Sequence, residues 1–134
     1  MDRRHFLLYT ATTATASTLT CTAQAIDNSS LPAKNLIFSQ DNGGIWEAKK
    51  DSHVPSIEVD NDRVTVSTDH GHSKTHYIVR HTLLLADGTV VGAKTFSPLD
   101  EPISEHKLPT GYNGTIYATS FCNKHDLWLA KASI

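Results

Sequence analysis

The stretch His76-Tyr77-Ile78-Val79-Arg80-His81-Thr82-Leu83-Leu84-Leu85-Ala86-Asp87-Gly88-Thr89-Val90-Val91 decides the fold. Its first eleven residues are rich in Ile, Val, Leu and Tyr, which suit a pleated, half-buried surface. Asp87-Gly88 is a two-residue hairpin signal, because glycine accepts the positive φ of a tight turn. Thr89 to Val91 and Ala93 to Phe96 then form the returning strand. On the N-terminal side, Ser56-Ile57-Glu58-Val59 alternates and stops at the Asp60-Asn61-Asp62 turn. Val64, Val66 and Thr68 share one face of the next strand, with Arg63, Thr65 and Ser67 opposite. Leu36-Ile37-Phe38 is a shorter apolar run, halted by Asp41-Asn42-Gly43-Gly44. On the C-terminal side, Thr115 to Cys122 is a strand and Leu127-Trp128-Leu129 the last one. Ser97 to Pro109 carries three prolines and reads as loop and edge. Residues 26–35 read as a loose polar arm, and Asn113-Gly114-Thr115 as a turn. There is no helical periodicity of useful length, no repeat and no low-complexity linker. Short strands spaced by turn signals predict an all-β sandwich.

Composition agrees with one ordinary globular domain. The 134 residues hold 12 Lys+Arg against 14 Asp+Glu, a net charge of −2. With no basic excess to neutralise phosphates, a nucleic-acid partner is not expected. Two features stand out: eight histidines, and two cysteines far apart, at 21 and 122.

The first 25 residues read as an export signal. Arg3-Arg4 precedes the apolar start Phe6-Leu7-Leu8. A stretch rich in Ala and Thr follows and ends at the small-x-small site Ala23-Gln24-Ala25. This resembles a bacterial twin-arginine signal. Eight Ser and Thr between positions 10 and 22 dilute the segment too much for a membrane anchor, which needs about 20 predominantly apolar residues. Lipidation at Cys21 is disfavoured by Thr18, where a lipobox wants Leu. The expected division is therefore a signal at 1–25 and one domain at 26–134, carried to the periplasm by the twin-arginine translocase. Cleavage would remove Asp2, Arg3 and Arg4, moving the charge to −3, together with Cys21 and Met1. One remaining cysteine excludes an internal disulfide and a four-cysteine metal site.

The chemistry-bearing positions are His53, His70, His76, Cys122 and His125. Cys122-Asn123-Lys124-His125 sets a thiolate and an imidazole donor three residues apart, so a tight turn can aim both at one point. His70 and His76 flank a loop that can fold back on itself. His53 precedes Val54-Pro55, where the proline stiffens the backbone behind the donor. Taken singly, each piece has a plainer meaning: a lone Cys is usually a small buried hydrophobe, and a Cys-x-x-His pair is often half a zinc site.

Together the pieces resemble the superoxide reductase family, the iron proteins neelaredoxin and desulfoferrodoxin. That family carries Glu-Lys-His-Val-Pro, then His-x5-His-Tyr, then Cys-Asn-x-His-Gly-Leu-Trp. Here the stretches read Asp51-Ser52-His53-Val54-Pro55, His70-x5-His76-Tyr77 and Cys122-Asn123-Lys124-His125-Asp126-Leu127-Trp128. Leu85-Ala86-Asp87-Gly88 and Asp100-Glu101-Pro102 also resemble family text. The resemblance spans about residues 45 to 130. It implies an immunoglobulin-like antiparallel β-sandwich of about seven short strands. It further implies one Fe(2+)/Fe(3+) per chain, with His53, His70, His76 and His125 equatorial and Cys122 axial. His72 competes with His70, but only His70 keeps the family spacing to His76. The implied reaction takes superoxide to hydrogen peroxide, with the iron re-reduced by an outside electron-donor protein. Dimers or tetramers are frequent in the family. The chemistry suits the donors: imidazole suits iron, and a soft thiolate pushes electron density onto it. Blue copper would want an axial Met, and zinc usually takes four ligands rather than five.

The chain departs from the pattern at two places. Asp51-Ser52 replaces the Glu-Lys pair, in which Glu reaches the open site and Lys attracts the anion. Asp51 is one methylene shorter and Ser52 is uncharged, so Lys49, Lys50 or Lys124 is expected to supply the missing positive charge. Asp126 replaces Gly. An Asp tolerates a left-handed backbone better than most residues, and its carboxylate can also accept a hydrogen bond behind a ligand; the sequence leaves both open. His81 is expected to be structural or exposed, and Trp46 and Trp128 to pack the core. The rival reading is a periplasmic iron-binding electron-transfer or oxidant-sensing protein without efficient superoxide turnover. A sulfur carrier is disfavoured, since it wants its cysteine on a terminal arm.

Overall fold

The computed structural model describes residues 33–134. The expected leader at 1–25, with Cys21, and residues 26–32 of the expected polar arm lie outside the described residues. Seven strands form two antiparallel sheets. β1 (Ser56–Asp60), β2 (Arg63–Ser67) and β5 (Ile103–Lys107) make a three-stranded sheet in the order β1-β2-β5. β3 (Ile78–Leu85), β4 (Val90–Thr95), β6 (Thr115–Cys122) and β7 (Asp126–Ser133) make a four-stranded sheet in the order β4-β3-β6-β7. This is the expected all-β, immunoglobulin-like sandwich with seven strands.

The alternation read from the sequence is what the two sheets bury between them. Val64 and Val66 of β2 are fully buried, and Thr68 just beyond is 4% exposed. The two valines meet Leu83, Leu85, Leu108, Ile116 and Ala118 in the main core. A smaller cluster of Ile78, Phe96 and Cys122 lies at the other end, beneath the chemistry-bearing turn. The Asp87-Gly88 hairpin forms, but with three residues in the loop rather than two. Leu85 N–H donates to the Thr89 carbonyl at 2.9 Å, and Gly88 takes φ +86°. The Asp87 carboxylate accepts from Thr89 N–H and stabilises the turn.

Three local readings need correction. Leu36-Ile37-Phe38 is not a strand: Phe38 alone makes a parallel bridge to Trp128. The stretch from Ser97 to Pro109 is loop and edge as read, its edge being β5, paired to β2 alone. Its prolines, Pro98, Pro102 and Pro109, fall outside the ladder, where no N–H is needed. Residues 33–35 form a 3-10 turn rather than loose arm, with Asn35 Oδ1 accepting from Ile45 N–H at 3.0 Å. Finally, a 3-10 segment (Gly44–Lys49) leads directly into α1 (Lys50–His53). Each is too short to print a helical period. Gly44 makes this segment possible: its φ is +48°, and a Cβ there would lie 2.5 Å from the Lys34 carbonyl oxygen.

Candidate metal centre

The sandwich presents the predicted donors from three separate places. α1 ends at His53, which is 2% exposed. Its Nδ1 lies 3.0 Å from the Lys49 carbonyl oxygen, one helical turn back, and 2.8 Å from Ser52 Oγ. A carbonyl only accepts, so Nδ1 carries the proton and Nε2 presents a lone pair. The loop before β3 supplies His70 and His76. His76 N–H is held by Ser73 Oγ and by the Ser73 carbonyl, closing a tight turn. β6 ends at the fully buried Cys122, and the three-residue turn to β7 supplies His125.

Asn123 ties these places together. Its carboxamide accepts from Tyr77 N–H and donates to the Thr75 carbonyl, both at 3.1 Å. The β6–β7 turn is thereby fixed to the His76 segment. Trp128, fully buried, donates its indole N–H to the His125 carbonyl at 2.8 Å and packs on Phe38 and His53.

The nitrogens converge. His70 Nε2 and His76 Nε2 are 3.1 Å apart, His76 Nε2 and His125 Nδ1 are 3.1 Å, and His125 Nδ1 and His53 Nε2 are 3.0 Å. The ring closes between His53 and His70, whose planes stand at 87° with centroids 4.6 Å apart. Cys122 Sγ is 3.7 Å from His125 Nδ1. The donor atoms of His53, His70, His76 and Cys122 all lie within 4.8 Å of one another. All five expected donors therefore meet. His72 does not: its Nε2 accepts from Ile78 N–H at 3.1 Å, outside the cluster.

A metal ion fits this set. A square with sides near 3.1 Å has its corners about 2.2 Å from its centre, close to ordinary metal–imidazole distances. The imidazoles are held neutral, as ligation requires. Burial, reinforced by neighbouring histidines, brings both His53 and His70 down to about 4. His76 and His125 are also lowered, first by burial and then by nearby charges; Lys49 and Lys124 bear on both rings, while Asp126 opposes them at His125.

The lysines separate. Lys49 and Lys124 act on the His76–His125 side, whereas Lys50 is paired with Glu47. Asp51 is exposed and lines a shallow cleft beside His70, with Asp69 and Glu101. Asp126 has φ +65°, and its Oδ2 accepts the Trp46 indole N–H at 2.9 Å, so both roles considered for it occur together. Trp46 is thus no core residue; it lies half-buried with its ring edge-to-face on His125. Sequence reasoning missed Ser52, Asn123 and Trp46 as supports of the ligands. Asn123 alone carried a signal, being part of Cys-Asn-x-His.

A β-sandwich that gathers neutral imidazoles and one buried cysteine sulfur at one end defines a class of metal-binding protein. The chain belongs to the desulfoferrodoxin family, whose pattern matches residues 44–131, and it is an oxidoreductase. It is 32% identical over 102 residues to a superoxide reductase from Pyrococcus abyssi, covering 63% of this chain and 87% of that one. A solved point variant of the neelaredoxin-type superoxide reductase from Ignicoccus hospitalis aligns with TM-score 0.67 and 30% identity, over 74% of this chain and 93% of that one. The superoxide reductase of Treponema pallidum aligns with TM-score 0.54 and 26% identity, over 63% and 69%.

Proposed function

We propose that the protein is a one-iron superoxide reductase in which His53, His70, His76, His125 and Cys122 would hold the iron. The observation that carries this reading is the ring of four converging imidazole nitrogens with a buried thiol 3.7 Å from one of them. Bound there, iron would supply the single electron that, with two protons, takes superoxide to hydrogen peroxide.

The chain's own residues do the rest. The Lys49 carbonyl and Ser52 Oγ hold the His53 proton on Nδ1. Asn123 and Trp128 fix the turn that carries Cys122 and His125. The burial of Cys122 with Ile78 and Phe96 keeps water from the sulfur. Lys49 and Lys124 draw an anion toward the His76–His125 side, and Lys50 contributes little because Glu47 neutralises it. An outside electron-donor protein would return the electron that bound iron gives up. The twin-arginine leader places the enzyme in the periplasm, and assembly into dimers or tetramers belongs to the same reading.

The test is a visible spectrum of the purified, ferricyanide-oxidised, iron-replete protein beside Cys122→Ser. A thiolate-to-ferric band that disappears in the variant supports the reading; its absence from iron-replete wild type overturns it. The rival, an electron-transfer or oxidant-sensing protein, draws on Ser52, whose uncharged hydroxyl turns to His53 where the family places Lys. It predicts reversible iron redox with slow turnover in pulsed superoxide.

A further inference from the structure

We propose that Asp126 and Trp46 form a latch that positions the His125 imidazole, and through it the metal. This rests on the metal-centre reading above and adds two positioning residues to it.

The argument starts with backbone cost. Cys122 and Asp126 are paired across the β6–β7 ladder, leaving Asn123, Lys124 and His125 as a three-residue turn. The residue that receives the chain after this turn lies in the left-handed region, a place that favours glycine. Asp126 occupies it at φ +65°. A side chain here carries a conformational cost that glycine avoids, and the Asp126 carboxylate has a definite use. It accepts the indole N–H of Trp46, 80 residues away, at 2.9 Å. Trp46 sits where the Gly44–Lys49 segment kinks, with φ −107° and ψ 24°. Its ring meets His125 at 4.7 Å between centroids and 77° between planes.

The hydrogen bond fixes the indole, and the indole edge fixes the rotation of the His125 ring. The segment bearing Trp46 continues into α1 and ends at His53. The latch therefore joins the two elements whose donors, His53 Nε2 and His125 Nδ1, stand 3.0 Å apart. Without the carboxylate, the indole N–H turns to water and the wall beside His125 is free to move.

The experiment uses cobalt(II) as a spectroscopic probe and measures its retention against a competing chelator. Wild type is compared with Trp46→Phe, Asp126→Gly, Asp126→Asn and the double variant Trp46→Phe/Asp126→Gly. Each of the first two is expected to weaken retention about tenfold, the usual scale for partners behind a metal ligand, and to shift the thiolate-to-cobalt band. The double variant is expected to lose no more than either single change, because both remove one interaction. Asp126→Asn keeps an acceptor and tolerates the left-handed backbone, so it should restore retention. Asp126→Gly relieves backbone cost, so its loss of retention is not a failure to fold. Unchanged affinity in the single variants overturns the latch, as does a multiplied loss in the double variant. A wild type with no thiolate-to-cobalt band overturns instead the metal-centre reading.

Discussion

Two clusters of histidine lie within this sandwich, and they are built to opposite rules. At one end, four imidazoles turn nitrogens toward one another at 3.0 to 3.1 Å. In the interior, both nitrogens of His81 meet hydroxyls. Its Nε2 lies 2.8 Å from Thr68 Oγ1 and its Nδ1 lies 3.0 Å from Ser104 Oγ. Thr68 continues to Ser120 Oγ, and Ser104 to His106 Nε2. Burial lowers His53, His70 and His81 alike to about 4. Burial and neutrality therefore do not distinguish a metal ligand from a structural histidine. The partners do: one cluster satisfies its nitrogens with hydroxyls, while the other aims lone pairs at a shared point.

The comparison breaks most visibly at the ligands. His53→Ala should cost at least tenfold in iron retention, as measured by metal analysis after dialysis against a chelator, whereas His81→Leu should leave iron stoichiometry and spectrum unchanged. His81→Leu should instead lower unfolding free energy by about 2–4 kcal/mol in denaturant titration, because it strips the Thr68 and Ser104 hydroxyls of a buried partner. A His81→Leu protein that loses iron as readily as His53→Ala would erase the distinction.

Acid sharpens the difference next. His81 titrates near 4 in the fold, against 6.5 for an ordinary histidine. The unfolded chain therefore binds the proton first, and the stabilisation is complete above 6.5 and drains away as pH falls toward 4. The stability gap between wild type and His81→Leu should accordingly narrow across that window; a constant gap counts against a neutral, hydrogen-bonded His81. The smallest effects belong to the lysines. At low ionic strength, Lys49→Ala and Lys124→Ala should each slow the reaction with superoxide by about threefold to tenfold, and salt should shrink the difference. Lys50→Ala should leave the rate as it is, since Glu47 already neutralises that charge.

Most of the sheet was legible because its strands alternate or run apolar for four or more residues. Thr115–Cys122 was read with its observed bounds. The hidden parts are those where the physics is not periodic. The bounds of β5 were hidden among prolines that sit outside its ladder, though its place as an edge was legible, and the segment from Gly44 to His53 is two short turns. The five donors were legible because their spacing and neighbours are specific. The nitrogen each ring offers was not, because it depends on backbone hydrogen bonds such as the one that fixes His53. Nor was the partner of Asp126, since no local rule links residues 80 positions apart. The choice of His70 over His72 came from spacing alone, and the structure supplies its cause: the Ile78 N–H occupies His72.

One corner of the nitrogen ring has a shorter arm. His53, His70 and His76 offer Nε2, at the far side of the imidazole, while His125 offers Nδ1, two bonds from its Cβ. Mechanically, this makes three hinged struts and one stub. The stub grows from a hairpin turn pinned by Asn123, Trp128 and Trp46, so it has little slack. An ion held there would meet a short, pinned arm on the His125 side, so any adjustment to its size would fall to the three longer imidazole arms.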